Sequence, residues 1–252
     1  MDEWFTTFFD EMANDFWDAA VPAEVTDAEV DYLRRTLRLE RGSRVLDVPC
    51  GRGRHALPLA RGGVEVVGLD ISEDAVARLR QSAAREGVAV EVQLGDMRER
   101  ALPRPVQAAY CMGNSVGYFD AGGVATFFAA VAAALEPGGR FVVDSSMVAE
   151  AVLPHLELEG TYEAGGITMT DSRRYDVRAS RVDATVTFER DGARTTREMS
   201  DWVVTSGDLV RLLGGAGFDV EALHAGTDGA AFGLGSPRLL AVGRRRPATA
   251  TG

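Results

Sequence analysis

Hydrophobic positions along this chain change their period from one region to the next, and each change marks an architectural border. Phe5, Phe8, Phe9, Met12 and Phe16 fall at i, i+3, i+4, i+7 and i+11. That spacing predicts one amphipathic helix over about 2–20, with Trp4 and Trp17 beside its apolar face. Thr26-Asp27-Ala28-Glu29 reads as a capping box opening a second helix that turns Val30, Leu33 and Leu37 inward. Beyond Gly42 short apolar runs alternate with helical spacing. Residues 45–48, 64–70, 88–94, 106–111 and 140–144 read as strands, with helices at about 55–61, 72–86 and 122–135 between them. Ser72 caps one of these helices, Gly62-Gly63 and Gly87 stop two, and Pro137-Gly138-Gly139 makes a tight turn before the fifth strand. Such alternation requires a mainly parallel sheet with helices on both faces.

The period then drops to two. Ile167 and Met169, Tyr175 and Val177, and Val182, Ala184, Val186 and Phe188 alternate with polar residues between about 160 and 204. Turn signals at Gly165-Gly166, Ser180-Arg181 and Asp191-Gly192 divide the region, which predicts an antiparallel meander inserted after the fifth strand. A helix at 206–214, a strand after Gly217-Phe218 and a last strand at 239–242 complete the pattern. The expected fold is α/β and Rossmann-like: a mainly parallel seven-stranded sheet with helices on both faces, plus the antiparallel insertion. Residues 1–40 form an N-terminal helical cap and 41–252 the main domain, with a disordered tail from about 244. The cap is either docked permanently on the core or a lid whose aromatic face closes over a ligand.

Composition narrows the function classes. A net charge of −11 and a sequence pI near 4.8 disfavour a nucleic-acid partner, which needs clustered basic groups. Every basic residue is Arg, so a lysine Schiff base and a Walker-type phosphate loop are both excluded. The acidic start Met1-Asp2-Glu3-Trp4 lacks a basic leader pattern, and no apolar run approaches the ~20 residues of a membrane helix. Cys50 and Cys111 are too few for a disulfide scaffold, so a cytoplasmic protein with reduced thiols is expected. No metal is expected, because His55, His155 and His224 are scattered and form no ligand spacing.

The chemistry concentrates at the first strand. Gly51-Arg52-Gly53-Arg54-His55-Ala56 fits G-x-G-x-x-G/A, with Asp70 roughly 20 residues on, which leaves an NAD-dependent oxidoreductase open. Asp47, Asp70 and Asp96 end three successive strands, and in a doubly wound sheet such ends lie side by side along one crevice.

Val45-Leu46-Asp47-Val48-Pro49-Cys50-Gly51-Arg52-Gly53 resembles the first motif of class I S-adenosylmethionine-dependent methyltransferases. Gly68-Leu69-Asp70-Ile71-Ser72 and Gly95-Asp96-Met97 resemble the second and third, and Pro137-Gly138-Gly139 and Ala216-Gly217-Phe218 resemble the approaches to strands five and six. Pro49 departs from the glycine usual there. With Asn114-Ser115-Val116-Gly117-Tyr118-Phe119, it resembles a bacterial small-molecule subgroup. The loop after strand four lacks the Pro-Pro-aromatic motif of enzymes that methylate nucleobase amines.

That resemblance implies S-adenosyl-L-methionine as cofactor and S-adenosyl-L-homocysteine as product. It gives Asp70 the ribose hydroxyls and Asp96 the adenine amino group, with Ile71 and Met97 flanking the ring. Asp47, Val48, Gly51 and Gly53 would surround the methionine moiety, with Met112 and Asn114 beside them; Arg54 either meets its carboxylate or forms a surface ion pair. Tyr118, Ser115 and His155, with Asp144 as a further candidate, are the groups expected to face the methyl. Phe9, Trp17, Tyr118, Arg174 and Tyr175 are expected to meet the acceptor, although the meander arginines read equally well as a solvated face. The expected function is methyl transfer to nitrogen or oxygen of a small molecule such as a natural product or sugar amine. The alternatives are the NAD reading and a non-catalytic S-adenosylmethionine-binding protein. Neither nucleic acid nor membrane is an expected partner, and the chain is expected as a monomer or a homodimer paired through the insertion.

Overall fold

A computed structural model describes residues 3–98, 102 and 105–247. Val45 and Leu46 alternate across β1 (Arg44–Asp47), and both are fully buried because helices cover both faces of the sheet. β1 pairs in parallel with β2 (Glu65–Asp70) on one side and β4 (Val106–Cys111) on the other. Outside β2 lies β3 (Val90–Leu94) and outside β4 lies β5 (Leu135–Ser145), both parallel. β11 (Leu239–Arg245) joins β5 antiparallel, and β10 (Phe218–His224) pairs antiparallel with β11. The seven-stranded order is therefore β10-β11-β5-β4-β1-β2-β3. Chain direction across the sheet reverses between β1 and β4, so the crevice for a ligand opens at their carboxyl ends.

On one face α3 (Ala23–Leu37), α4 (Ala56–Arg61) and α5 (Glu73–Glu86) bury Leu33, Leu59 and Leu79 against Val45, Val66 and Tyr110. On the other, α6 (Ala121–Ala134) and α8 (Ser206–Gly215) bury Phe127, Phe128, Leu209 and Leu213 against Leu46 and Phe141. Each such side chain contributes roughly 1.5–3 kcal/mol, which fixes the strand ends that carry the site.

The insertion follows α7 (Ala149–Val152). It is a four-stranded antiparallel sheet of β6 (Glu159–Ala164), β7 (Ile167–Asp176), β8 (Arg181–Arg190) and β9 (Ala193–Trp202), in that order. Asp191 and Gly192 form its last hairpin loop with φ of 51° and 80°, the pair of positive values a two-residue turn requires.

The N-terminal segment departs from the expectation of one helix. α1 (Phe5–Phe8) ends at Phe9, and Asp10 takes an extended conformation and caps α2 (Glu11–Ala20) by accepting from the Ala13 N–H at 3.0 Å. The aromatic spacing survives the break, which is why periodicity alone misses it. Phe8, Ala13 and Phe16 pack with Ile167, Met169, Val186 and Phe188, so the pair docks on the inner face of the insertion. The capping box is a second correction. α3 begins behind Pro22, and Thr26 and Glu29 lie inside it, where Glu29 is buried in an ion-pair cluster. The last strand runs to Arg245, past the point where the sequence reading starts a tail; residues 248–252 lie outside the described residues. Among the described residues no helix is long and apolar enough to cross a membrane.

Candidate functional site

A cavity of about 460 Å³ opens at the carboxyl ends of β1, β2 and β4 and is roofed by α1, α2 and β9. Its floor is the turn after β1. Gly51 holds φ at +52°, and a Cβ there would meet nothing within 4 Å, so the backbone faces open space. Gly53, at φ +89°, serves the packing instead, because a Cβ would overlap Leu79 of α5.

Asp70 ends β2 and lines the cavity beside this turn. Its Oδ2 accepts from the Gly51 N–H at 2.7 Å and its Oδ1 from the Ser72 N–H at 2.9 Å. Burial raises its pKa, and the backbone N–H groups of Ser72, Gly51 and Ile71 oppose that rise. Asp47 is 2% exposed, and its Oδ2 has no hydrogen-bond partner. Burial pushes its carboxyl up to about 8, against the pull of the Tyr110 hydroxyl and with help from Asp70. An orphaned acceptor under the glycine turn fits a cationic ligand group nearby.

Arg54 lines the cavity and takes the ion pair that sequence left as one of two options, but with a buried partner. Its Nη1 stands 2.5 Å from Glu29 Oε2, whose carboxylate also meets His55 Nε2 at 2.9 Å and Arg238 Nη1 at 2.5 Å. Burial works to raise the Glu29 pKa, but His55, Arg238 and Arg54 outweigh it and hold it near 2. Burial lowers His55, against the pull of Glu29, so its ring is held neutral in the packing and is not a free base. Arg238 also reaches Asp144 at 3.5 Å, and Asp144 accepts from the Gly113 N–H at 3.1 Å. Asp144 thus fixes the loop after β4 from beneath.

At the far end of the cavity Asp96, Met97 and Ile71 come together as expected. Asp96 is gripped by Arg98 through Nη2 at 2.5 Å and the backbone N–H at 2.8 Å. Burial would raise the Asp96 pKa, but Arg98 outweighs it and the carboxyl titrates low. A carboxylate has lone pairs beyond those contacts. Arg98 also lies 4.5 Å above the Phe119 ring and 2.5 Å from Glu3.

Another part of the wall is aromatic, and it reaches the Asp96 end, where the Arg98 guanidinium lies 5.3 Å over Phe5. Tyr118 sits 4.7 Å from Trp4, 5.9 Å from Phe5 and 6.0 Å from Phe9, measured between ring centres. Burial, and then the nearby Asp201 carboxyl, push the Tyr118 phenol well up, so it stays protonated. Ser115, Met112, Asn114, Phe9 and Trp17 also line the cavity. Asn114, at φ 70°, accepts from the Ser146 and Met147 N–H groups at 3.0 and 3.2 Å, joining the loops after β4 and β5.

Three expected residues are elsewhere. His155 donates from Nε2 to the Gly235 carbonyl oxygen at 2.9 Å, because the chain after α7 turns away from the crevice. Arg174 is on the outer face of the insertion, 71% exposed and paired with Asp183 at 2.9 Å. Tyr175, paired with Val182 near the last residue of β7, is also absent from the cavity wall. Asp47, Val48 and Gly53 are also absent from the wall and lie behind it.

Sequence reasoning missed Arg52 and Glu29. Arg52 Nη1 meets Asp15 at 2.8 Å and Asp18 at 2.9 Å on α2, and its Nη2 meets Asp74 at 2.9 Å on α5. The signal was the acidic i, i+3 pair on α2, read only for its apolar face.

A family model described as "Methyltransferase domain" matches residues 45–139. A dTDP-3-amino-3,6-dideoxy-alpha-D-glucopyranose N,N-dimethyltransferase of Streptomyces fradiae is 31% identical over 213 residues, spanning 78% of either chain. This chain belongs to the class I S-adenosylmethionine-dependent methyltransferases. Two solved methyltransferases share the fold of the family. The CcbJ methyltransferase of Streptomyces caelestis is 22% identical with a TM-score of 0.82, covering 98% of this chain and 100% of that one. The sugar N-methyltransferase KedS8 of Streptoalloteichus sp ATCC 53650 is 25% identical with a TM-score of 0.67, covering 88% of each. The methyltransferase uses S-adenosyl-L-methionine as methyl donor and a small molecule as acceptor, which overturns the NAD-dependent and non-catalytic alternatives.

Proposed function

We propose that this methyltransferase acts on the amine of a small amino-sugar acceptor, presented from the aromatic wall. The observation that carries the reading is that one cavity joins two kinds of lining, carboxylates with open backbone and aromatic rings. Asp70, Asp96 and the open Gly51 backbone suit the donor, and Trp4, Phe9 and Tyr118 suit an acceptor. Aromatic faces attract an ammonium by about 0.5–2 kcal/mol and pack well on the C–H face of a sugar ring.

The residues present fit the donor. The Asp70 carboxylate takes the ribose hydroxyls, Asp96 the adenine amino group, and Ile71 and Met97 flank the ring. The unpartnered Asp47 oxygen and Arg54 serve the amino and carboxylate groups of the methionine end. S-adenosylmethionine supplies a methyl group on an already activated sulfonium, so the protein is left to align the acceptor and exclude water. α1 and α2 act as the cap. They are tied to the glycine turn by Arg52, to β8 by Arg190–Asp15 at 2.9 Å, and to β9 by Arg197–Asp10 at 2.7 Å. Both cysteines are free and buried, which supports a cytoplasmic enzyme. β6 and β9 are the outer strands of the insertion, and sedimentation velocity distinguishes a monomer from a homodimer paired through it.

The test uses dTDP-3-amino-3,6-dideoxy-α-D-glucopyranose and its 3-hydroxyl counterpart as probes, with S-adenosylmethionine and mass analysis of the products. One or two methyl groups on the amine probe alone are expected. Methylation of the hydroxyl probe, or of neither, would overturn the amine reading.

A further inference from the structure

Glu29 lies inside α3 and is 2% exposed, and both of its carboxylate oxygens are occupied. Oε1 accepts from Arg238 Nη1, and Arg238 is itself held beside Asp144 at 3.5 Å. Oε2 accepts from His55 Nε2 at 2.9 Å, and the buried His55 ring packs at 76° to the ring of Tyr110. Two anchored partners therefore fix this carboxylate independently of Arg54.

Arg54 is the third partner, and its side chain is 29% exposed in the cavity wall. Glu29 and the Thr26 hydroxyl engage Nη1 alone, at 2.5 and 3.3 Å. Among the described residues nothing pairs with Nε or Nη2, the donors on the other edge of the same planar group. Such an edge matches a carboxylate in two parallel hydrogen bonds. A free arginine side chain samples many rotamers, and tethering one nitrogen removes that freedom before a ligand arrives. Apolar side chains fill many buried sites at least as stably as ion pairs do. Stability alone therefore leaves a half-engaged guanidinium at the cavity wall unexplained.

We propose that Glu29 is a positioning residue for the donor: it holds Arg54 by Nη1 so that the Nε–Nη2 edge is presented to the carboxylate of the methionine moiety. The proposal rests on the placement of that carboxylate at Arg54 made above and is independent of the acceptor. Glu29 touches no donor atom and acts through Arg54 alone. Its effect is confined to ligands that carry the amino-acid carboxylate, so a thioether nucleoside lacking that group is indifferent to it.

The test is calorimetric titration of wild type, Glu29→Gln, Arg54→Ala and the double variant, with circular dichroism as the check on folding. The probes are S-adenosylhomocysteine and 5′-methylthioadenosine, which shares the nucleoside and thioether but has neither carboxylate nor amine. Glu29→Gln should lose about tenfold in affinity for S-adenosylhomocysteine, the scale of a charge-assisted hydrogen bond, and less than about twofold for methylthioadenosine. Arg54→Ala should lose about tenfold or more with the same selectivity, and the double variant should lose no more than Arg54→Ala. Glu29→Asp keeps the charge but withdraws it by one methylene. It should show a smaller selective loss, and it carries the test if Glu29→Gln does not fold. No loss, equal losses for both probes, or additive losses in the double variant would overturn the role of Glu29 while leaving the carboxylate at Arg54. Arg54→Ala binding S-adenosylhomocysteine as wild type does would overturn that placement and the proposal with it.

Discussion

The carboxylate of Asp70 and the backbone N–H of Gly51 meet at 2.7 Å, locking the end of β2 to the open turn after β1. That bond aims a buried carboxylate into the cavity beside the backbone that a ligand must approach. Asp70→Ala should weaken S-adenosylmethionine binding by roughly 1.5–3 kcal/mol, the scale of hydrogen bonds to a charged group. Isothermal titration checks it, with circular dichroism confirming the fold. Unchanged affinity would remove Asp70 from the donor site.

The two glycines of the turn should respond differently to alanine. Gly53→Ala forces a methyl group onto Leu79 Cδ1 of α5 while φ is +89°, so stability should fall by about 2–4 kcal/mol in urea melts. Gly51→Ala, at φ +52° with nothing within 4 Å, should cost only about 1–2 kcal/mol. Its methyl group would instead stand where the donor approaches, so titration should show the larger loss of S-adenosylmethionine affinity for Gly51→Ala.

Arg52 links α2 to the glycine turn through Asp15 and Asp18. Arg52→Ala should release the cap and leave the rest of the fold in place. Hydrogen exchange of residues 11–20 should accelerate by roughly tenfold or more, the equivalent of about 1.5 kcal/mol of local stability. Exchange unchanged there, or accelerated equally throughout the sheet, would deny Arg52 that role.

Glu29 should give the protein an acid-sensitive component of stability. Its folded pKa, about 2, lies below the ordinary 4.5, so its contribution is complete above 4.5 and is lost as pH falls toward 2. The shift corresponds to something on the order of 3 kcal/mol. Asp47 and Asp201 have the opposite sign: raised to about 8 and about 7, they favour the fold at low pH and that contribution fades as pH rises through those values. The informative quantity is therefore the difference in melting between wild type and Glu29→Gln, which should shrink between pH 4.5 and 2. A difference constant across that window would contradict the cluster.

Much of the fold was legible because strand and helix periods are written into buried positions. The 45–48 run, the Ser72 cap and the Asp191-Gly192 turn each carry a local signal that tertiary contacts agree with. That Asp70 and Asp96 share one cavity was legible for the same reason, since both stand at strand ends. The failures share a different cause. The break at Asp10, the burial of Glu29 and the exposure of Arg174 depend on which distant element lies opposite, and neither spacing nor composition encodes that.

The most direct measurement is a crystal structure with S-adenosylhomocysteine and the amino-sugar probe bound. The ribose should rest on Asp70, the adenine should lie between Ile71 and Met97, and the sulfur should face the Trp4–Tyr118 wall with the amine against it. A nucleoside bound at the aromatic wall, or an acceptor nitrogen outside this cavity, would contradict the assignment of donor and acceptor ends.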